Sequence, residues 1–182
     1  MNEKVLPRRQ FLRGGFLTSL QSDTVLTQGF LGVRPPWSMD ESIFVAGCTR
    51  CGDCLSVCET QILVKGDGGF PEVKFALGEC TFCQKCVEIC KQPIFRPHFS
   101  QPNLGEQAEQ PWTHKVELQA NCLAFNSVEC RSCEDNCESR AIYFKREIGG
   151  LAKPRVNLDS CNGCGACIHV CPVSAVKILR EI

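Results

Sequence analysis

The cysteines constrain the fold of this chain more than any other feature, because 16 of its 182 residues are cysteine. They fall into four groups of four, separated by stretches without cysteine. So many closely spaced thiols must organise the structure around whatever they bind. The groups are Cys48, Cys51, Cys54 and Cys58; Cys80, Cys83, Cys86 and Cys90; Cys122, Cys130, Cys133 and Cys137; and Cys161, Cys164, Cys167 and Cys171.

Three of the groups have the spacing Cys-x2-Cys-x2-Cys-x3-Cys. Bacterial proteins that carry two [4Fe–4S] clusters use this spacing, with three cysteines on one cluster and the fourth on its neighbour. The sequence therefore predicts that all sixteen cysteines are metal ligands, with three [4Fe–4S] clusters and a fourth at the irregular group. Disulfides need no regular spacing, and zinc ribbons use two cysteine pairs for each ion, so both alternatives fit less well.

The fourth cysteine of each group is expected to cross to the neighbouring cluster. The intervals between groups favour pairing the first group with the second and the third with the fourth. A nested pairing of first with fourth and second with third is the alternative, with the same ligands. The favoured sets are Cys48, Cys51, Cys54 and Cys90; Cys80, Cys83, Cys86 and Cys58; and Cys161, Cys164, Cys167 and Cys137.

The third group is irregular, because Ser127 stands where the regular spacing would place its first cysteine. The nearest upstream thiol is Cys122, which a longer loop would return to the cluster. The favoured set is a fourth [4Fe–4S] site of Cys122, Cys130, Cys133 and Cys171. A [3Fe–4S] cluster or a labile cluster at this site stays an alternative.

The pattern between the cysteines predicts an α+β fold, in which two ferredoxin-like lobes of short strands, cysteine loops and short helices follow a flexible N-terminal arm. The predicted divisions are a basic arm and Pro-rich linker at 1–40, a first lobe at 41–97, a linker at 98–112 and a second lobe at 113–182. Gly66–Gly69 and Gly149-Gly150 predict hairpin turns. The predicted strands are Ser42–Ala46, Ile62–Lys65, Glu72–Phe75, His114–Leu118, Ala141–Lys145 and Arg155–Leu158.

Composition and the other side chains argue against several functions. Lysine plus arginine equals aspartate plus glutamate at 20 each, which gives no support for nucleic-acid or membrane-surface binding. No apolar run is long enough to span a bilayer. His98, His114 and His169 lack partners at metal-ligand spacing, and Gly66–Gly69 lacks the context of a phosphate-binding loop. We therefore expect no catalytic residues, no other cofactor site and no enzymatic activity.

Other side chains allow two interpretations each. Arg50, Lys85 and Arg131 lie inside cysteine groups and would raise a cluster potential if they faced it, although such side chains are more often solvated. Trp37 and Trp112 lie beside prolines and are either partner anchors or core residues.

The amino terminus contains Arg8-Arg9 followed by Phe11 and Leu12, which is similar to the core of a twin-arginine export signal. The apolar stretch that follows is short and interrupted, and no small-residue cleavage site appears. A basic amphipathic arm that docks on a partner is the favoured interpretation. The sequence thus predicts a cytoplasmic protein.

The chain resembles the NapF ferredoxin-type proteins found with periplasmic nitrate reductases. The resemblance rests on Arg34-Pro35-Pro36-Trp37-Ser38, on the irregular segment from Cys122 to Cys133, and on Cys161-Asn162-Gly163-Cys164-Gly165-Ala166-Cys167 with Cys171-Pro172-Val173. It implies a cytoplasmic iron–sulfur protein that binds the catalytic subunit before export. Such a protein would assist maturation by supplying electrons or by helping to insert the subunit's own cluster.

Two other functions remain open at this point. The chain would also suit an electron-transfer subunit of a respiratory chain that feeds the reductase. A redox sensor that uses the irregular third cluster to control partner binding is the other alternative.

Overall fold

A computed structural model of the chain describes residues 32–96, 110–146, 148 and 150–179. The predictions for the basic arm, for His98 and for most of the linker lie outside these residues. Within them the fold is α+β, as predicted, and every element is short. The elements are α1 (Glu41–Gly47), α2 (Asp53–Ser56), β1 (Leu63–Lys65), β2 (Pro71–Val73), α3 (Lys85–Glu88), β3 (Lys115–Leu118), α4 (Ser132–Asp135), β4 (Ile142–Lys145), β5 (Lys153–Val156), α5 (Ala166–His169) and β6 (Val176–Leu179).

The first lobe, residues 32–96, contains an antiparallel hairpin of β1 and β2, in which Leu63 pairs with Val73 and Lys65 with Pro71. The hairpin turns through a short 3-10 helix at Asp67–Gly69, where Gly68 and Gly69 have φ values of 63° and 80°. Side chains of larger residues rarely adopt this region, so glycine suits the turn. Helices α2 and α3 pack together beside the hairpin.

The second lobe, residues 113–179, is built from two antiparallel strand pairs. Strands β4 and β5 form the predicted hairpin, with Ile142 opposite Val156. Strand β3 pairs with β6, so that Leu118 lies opposite Val176 and the end of the lobe returns to its beginning. The sequence did not predict β6. The buried core of this lobe contains Val116, Ala141, Ile142 and Val176 together with Cys133, Cys161 and Cys167.

Residues with positive φ mark where the chain leaves three of the cysteine groups. Each lies three positions after a fourth cysteine and leads into β1, β4 or β6. The second group has Pro93 at the same position. Its ring fixes φ at about −65°, so the chain cannot turn in the same way. No named strand follows Pro93 in the described part of the first lobe; an isolated bridge joins Ser38 and Phe95 instead. The three residues are Gln61 (54°), Arg140 (52°) and Ser174 (49°).

The predicted strand at Ser42–Ala46 is wrong, because these residues lie in helix α1. Ile43 and Val45 favour strands locally. The neighbouring extended segment is already occupied: the amide of Met39 donates to the carbonyl of Ile94, and the amide of Arg96 donates to that of Trp37. Residues 41–47 satisfy their backbone hydrogen bonds within the helix instead, and they bury Phe44 completely.

The predicted strands at Glu72–Phe75 and Arg155–Leu158 are displaced, since β2 begins at Pro71 and β5 at Lys153. Within the described residues, no helix combines the length and apolar character needed to cross a bilayer.

The Pro-Pro-Trp segment, which the sequence suggested was a linker, is packed into the first lobe. Arg34 is only 8% exposed, and its guanidinium donates to both carboxylate oxygens of Glu41, at 2.6 and 2.9 Å. Arg34 also donates to the carbonyl of Pro71 and lies 5.2 Å from the ring centroids of Phe44 and Phe70. A charge buried this deeply is tolerated because every side of it is partnered.

Replacing Arg34 by methionine should destabilise the first lobe by about 3 kcal/mol, because Glu41 would lose its buried partner and the carbonyl of Pro71 its donor. We expect the midpoint of thermal cluster release, followed anaerobically by visible absorbance, to fall by roughly 10 °C. Arg131→Met is the matched control, since Arg131 also bonds a glutamate and stacks on a phenylalanine, but its side chain is 42% exposed against 7% for that of Arg34. Equal shifts in the two variants would contradict the importance of the buried pair.

Candidate iron–sulfur centres

The structure sorts the sixteen thiols into four sets, each with three cysteines from one group and one from another. Three sets each line a cavity. In the fourth set, Cys161 and Cys167 are buried in the core of the second lobe, Cys137 packs against this core, and Cys164 lies between Cys161 and Cys167 in the chain. These thiols affect the pKa of Cys167 more than Cys133 of site 3 does. The sets are site 1 (Cys48, Cys51, Cys54 and Cys90), site 2 (Cys58, Cys80, Cys83 and Cys86), site 3 (Cys122, Cys130, Cys133 and Cys171) and site 4 (Cys137, Cys161, Cys164 and Cys167).

The crossing follows from where the short helices end. Helix α2 carries Cys54 at site 1 and ends at Ser56, so that Cys58 lies beyond the helix and reaches site 2. Helix α5 repeats this arrangement in the second lobe: it carries Cys167 at site 4, and Cys171 follows it at site 3. The x3 step in the sequence is therefore the step from one site to the next.

Left-handed residues turn the backbone around the regular sites. In each regular group they lie two and four positions after the first cysteine, which lets three successive thiols face one point. Glycine occupies some of these positions and larger side chains occupy others, so a glycine pattern would not have found them in the sequence. The residues and φ values are Arg50 (59°) and Gly52 (88°), Phe82 (56°) and Gln84 (65°), and Gly163 (78°) and Gly165 (85°).

The irregular third group reaches its site through a compact loop. The carbonyl of Cys122 accepts hydrogen bonds from the amides of Phe125 and Asn126, and the Asn126 side chain donates to it as well. The amide of Val128 then bonds the carbonyl of Leu123, and Ser127 takes a φ of 59°. These bonds close the loop and place Cys122 beside Cys130 and Cys133 at site 3.

Burial raises the pKa of the innermost thiols, and neighbouring thiolates raise it further. Because only a thiolate binds iron, each of these groups must release a proton when a cluster enters. Loading therefore exchanges protons for iron at these buried groups. The pKa is raised to about 11 for Cys54 and Cys133, and to about 12 for Cys80, Cys86 and Cys167.

Several donors approach the sulfurs directly. The amide of Ala175 donates to Sγ of Cys171 at 3.1 Å, and the amide of Phe82 donates to Sγ of Cys80 at 3.4 Å. Hydrogen bonds of this kind stabilise the charged sulfur and raise a cluster's reduction potential. Hydroxyl groups two residues after a cysteine also lie near its sulfur: Thr60 at 3.7 Å from Cys58, Ser132 at 3.8 Å from Cys130 and Ser139 at 3.5 Å from Cys137.

The donor sets fit a cluster of several atoms. In the described part of the chain, no three His, Cys, Asp or Glu side chains lie close enough together to hold a single metal ion. At sites 1, 2 and 3 the sulfurs instead surround a cavity, and the lining of site 3 is apolar apart from its thiols and Ser132. Four thiols around an apolar space match a [4Fe–4S] cube, which takes one thiolate at each iron. A tetrahedral zinc ion would draw them to one point.

The basic side chains inside the cysteine groups form their bonds with groups other than the sulfurs. Arg50 donates to the carbonyl of Gly68 and covers the ring of Phe70, and Arg131 bonds Glu134 and covers Phe144.

Lys85 forms an exposed ion pair with Glu59, whose pKa is lowered by that partner.

The aromatic and histidine side chains are structural. Trp37 and Trp112 are 4% and 8% exposed, which makes both core residues. A ring nitrogen of His114 lies 3.0 Å from the carbonyl oxygen of Gly163, and one of His169 lies 3.1 Å from that of Ala76. Neither histidine belongs to a cysteine set.

Comparison with known proteins agrees with the arrangement of the cysteines. The sequence profile of the 4Fe-4S dicluster domain matches twice, at residues 47–94 and 128–175. Each match lies within one lobe, and Cys122 lies outside both matches. The fold and the paired cysteine groups thus define a ferredoxin-type protein with two dicluster domains and multiple [4Fe–4S] clusters.

The sequences of curated relatives show to which family of ferredoxin-type proteins the chain belongs. Ferredoxin-type protein NapF of Haemophilus influenzae is 57% identical over 178 residues, which cover 98% of this chain and 96% of the relative. Ferredoxin-type protein NapF of Escherichia coli K12 is 44% identical over 145 residues, 80% of this chain and 83% of the relative. Ferredoxin-type protein NapG of E. coli K12 is 28% identical over a comparison that covers 94% of this chain and 85% of the relative. The chain belongs to the NapF ferredoxin-type family.

Proposed function

We propose that this protein carries four [4Fe–4S] clusters on its sixteen cysteines and acts in the cytoplasm as an accessory factor of periplasmic nitrate reductase. It binds the precursor of the catalytic subunit and assists its maturation before export, by supplying electrons or by helping to insert that subunit's cluster. The observation that carries the proposal is the 57% identity to a NapF protein over almost the whole chain. The four crossed cysteine sets supply the redox chemistry that the role needs.

Some residues of this chain would bind the clusters, and others would set their reduction potentials. A bound [4Fe–4S] cluster supplies one-electron transfer at a potential set by its surroundings. The thiols hold each cluster, while the amides of Phe82 and Ala175 donate to sulfur and stabilise its charge. Apolar side chains such as Ile62 and Val176, which are 1% and 2% exposed, exclude water from the sites.

The proposal predicts that the tagged protein captures the unprocessed precursor of the catalytic subunit from the cytoplasmic fraction, and does not capture the processed periplasmic form. The capture should persist in a Cys122→Ala variant, because partner binding does not depend on the third site in this role. Cells that express both proteins, followed by affinity purification and mass measurement of the captured subunit, provide the test.

Two outcomes would favour the other functions. A periplasmic form of this protein cut after Arg8-Arg9 would overturn the cytoplasmic role and support an electron-transfer subunit. Capture that is lost specifically in Cys122→Ala, and retained in Cys51→Ala, would support a redox sensor at site 3. Each alanine variant removes one thiol from one site. Cys51→Ala therefore shows whether the loss of any cluster abolishes capture, or only the loss of the cluster at site 3.

A further inference from the structure

The two lobes meet at the cysteine loops of sites 2 and 4. The amide of Cys80, at site 2, donates to the carbonyl oxygen of Cys164, at site 4, at 2.9 Å. The imidazole of His169 reaches from the second lobe to the carbonyl of Ala76 in the first. Two cysteines joined by a backbone hydrogen bond hold their sulfurs within a few bonds of the contact, so these two sites are neighbours across the boundary.

A close aromatic contact fixes this junction. A Cβ atom on Gly165 would lie 2.0 Å from the ring of Phe75, which is far inside the contact distance of two carbons. Phe75 is 4% exposed and meets Trp112 and His114 edge-on, at centroid distances of 5.7 and 5.8 Å. Trp112 in turn donates to the carbonyl of Arg34 in the first lobe. Phe75 of the first lobe thus packs against Gly165 and His114 of the second lobe, and Trp112 at the end of the linker packs against the same ring.

Helix packing places the remaining sites in order. Helices α2 and α3 pack together in the first lobe, and they carry Cys54 of site 1 and Cys86 of site 2. Helices α4 and α5 pack together in the second lobe, and they carry Cys133 of site 3 and Cys167 of site 4. Sites 1 and 2 are therefore neighbours, and so are sites 3 and 4.

We propose that the packing of Phe75 on Gly165, with the hydrogen bond between Cys80 and Cys164, joins the lobes into one series of redox sites in the order 1, 2, 4, 3. Phe75 is a positioning residue in this arrangement, because it acts through the loop that presents Cys164. Sites 1 and 3 become the two ends of the series, so charge can enter at one lobe and leave at the other. The inference rests on the proposed loading with iron and sulfide.

The first test asks whether the lobes hold together without the linker. A recognition sequence for a specific protease is inserted between Gly105 and Glu106, and the loaded full-length protein is cut anaerobically. We expect the two halves to coelute on size exclusion. Phe75→Ala should weaken their association on the order of 100-fold, because it removes a buried ring from the contact. Phe70→Ala is the control, since Phe70 is equally buried in the first lobe but lies away from the junction.

The second test measures the separation of the sites in the uncut protein. Reduced clusters are paramagnetic, and their spin–spin interaction in low-temperature EPR falls steeply with distance. Gly165→Ala should force Phe75 away and reduce this interaction. Gly52→Ala is matched to it: Gly52 holds the same position in its group, with φ of 88° against 85°, and has no atom within 4 Å of an added Cβ. Both variants carry the strain of a left-handed alanine, so an interaction that is weaker in Gly165→Ala than in Gly52→Ala reports the contact with Phe75.

The outcomes separate this inference from the proposed loading. Wild-type halves that separate after cutting, or a spin–spin interaction that stays constant in both Phe75→Ala and Gly165→Ala, would overturn the joint while iron analysis still supports the clusters. A protein without iron or acid-labile sulfide would instead overturn the loading. If Gly165→Ala loses its iron, the spin–spin interaction measured in Phe75→Ala decides whether the lobes are joined, because Phe75 lies outside the cysteine loops.

Discussion

Removing the iron should abolish the fold. The described helices other than α1 have only four residues each, too few to be stable by themselves. The described cores contain the ligand thiols alongside the apolar side chains, so an empty site leaves a cavity at the centre of each lobe. Anaerobic treatment with a chelator and an oxidant, then with a thiol reductant, should yield a chain that lacks near-UV circular dichroism and elutes as an expanded species.

Reconstitution provides the control for this result. Ferrous iron and sulfide should restore the compact form and the visible absorbance together, because binding and folding are one process when the ligands meet only in the folded chain. Zinc without sulfide should not restore it, since a single ion would draw the four thiols to one point and collapse the cavity. An apoprotein that keeps its near-UV signal and its elution volume would contradict the prediction.

The cysteine spacing predicted the grouping of the thiols because the geometry is local. Three thiols at x2 steps must face one site when the backbone turns between them, and an x3 step carries the next thiol past the end of a four-residue helix. The same reasoning led from Cys122 to site 3, although Ser127 interrupts the pattern. The sets that the sequence favoured are the sets that the structure brings together. That all sixteen thiols are ligands, and that the clusters number four, stays a proposal.

The sequence did not predict the elements that depend on distant partners. The β-branched residues at 43 and 45 favour a strand, but the neighbouring backbone of Trp37 and Met39 is already paired, and helix α1 forms there instead. Strand β6 exists because β3 offers it an edge from the other end of the lobe. Pro93, by contrast, could have been used to predict that no strand follows the second group. Its fixed φ blocks the left-handed turn that leads into a strand after the other groups.

Arg34 shows the same limit for a charged side chain. A sequence pattern places an arginine beside two prolines on the surface, since charged residues are seldom buried unless paired. Its partners Glu41 and Phe70 come from separate parts of the first lobe, and no local rule brings them together. The junction between Phe75 and Gly165 is likewise a contact between lobes, which no spacing inside either lobe encodes.

The crossing of the fourth cysteines predicts a specific pattern of iron loss. Cys122 and Cys171 belong to different groups in the sequence but share site 3, whereas Cys137 shares a group with Cys122 but lies at site 4. Cys122→Ala and Cys171→Ala should each remove the iron of one site, about four atoms of about sixteen. The double variant should lose no more than either single variant, because both changes empty the same site.

Combining Cys122→Ala with Cys137→Ala should instead double the loss, since the two changes then act on separate sites and separate effects add. Iron and sulfide analysis of anaerobically purified protein measures both combinations, and a site that keeps three irons changes the size of each loss without changing the pattern. Had each group kept its own four cysteines, Cys122 and Cys137 would be the pair whose losses fail to add. Which of the two double variants shows additive iron loss therefore distinguishes the crossed arrangement from the uncrossed one, without any assumption about cluster potentials.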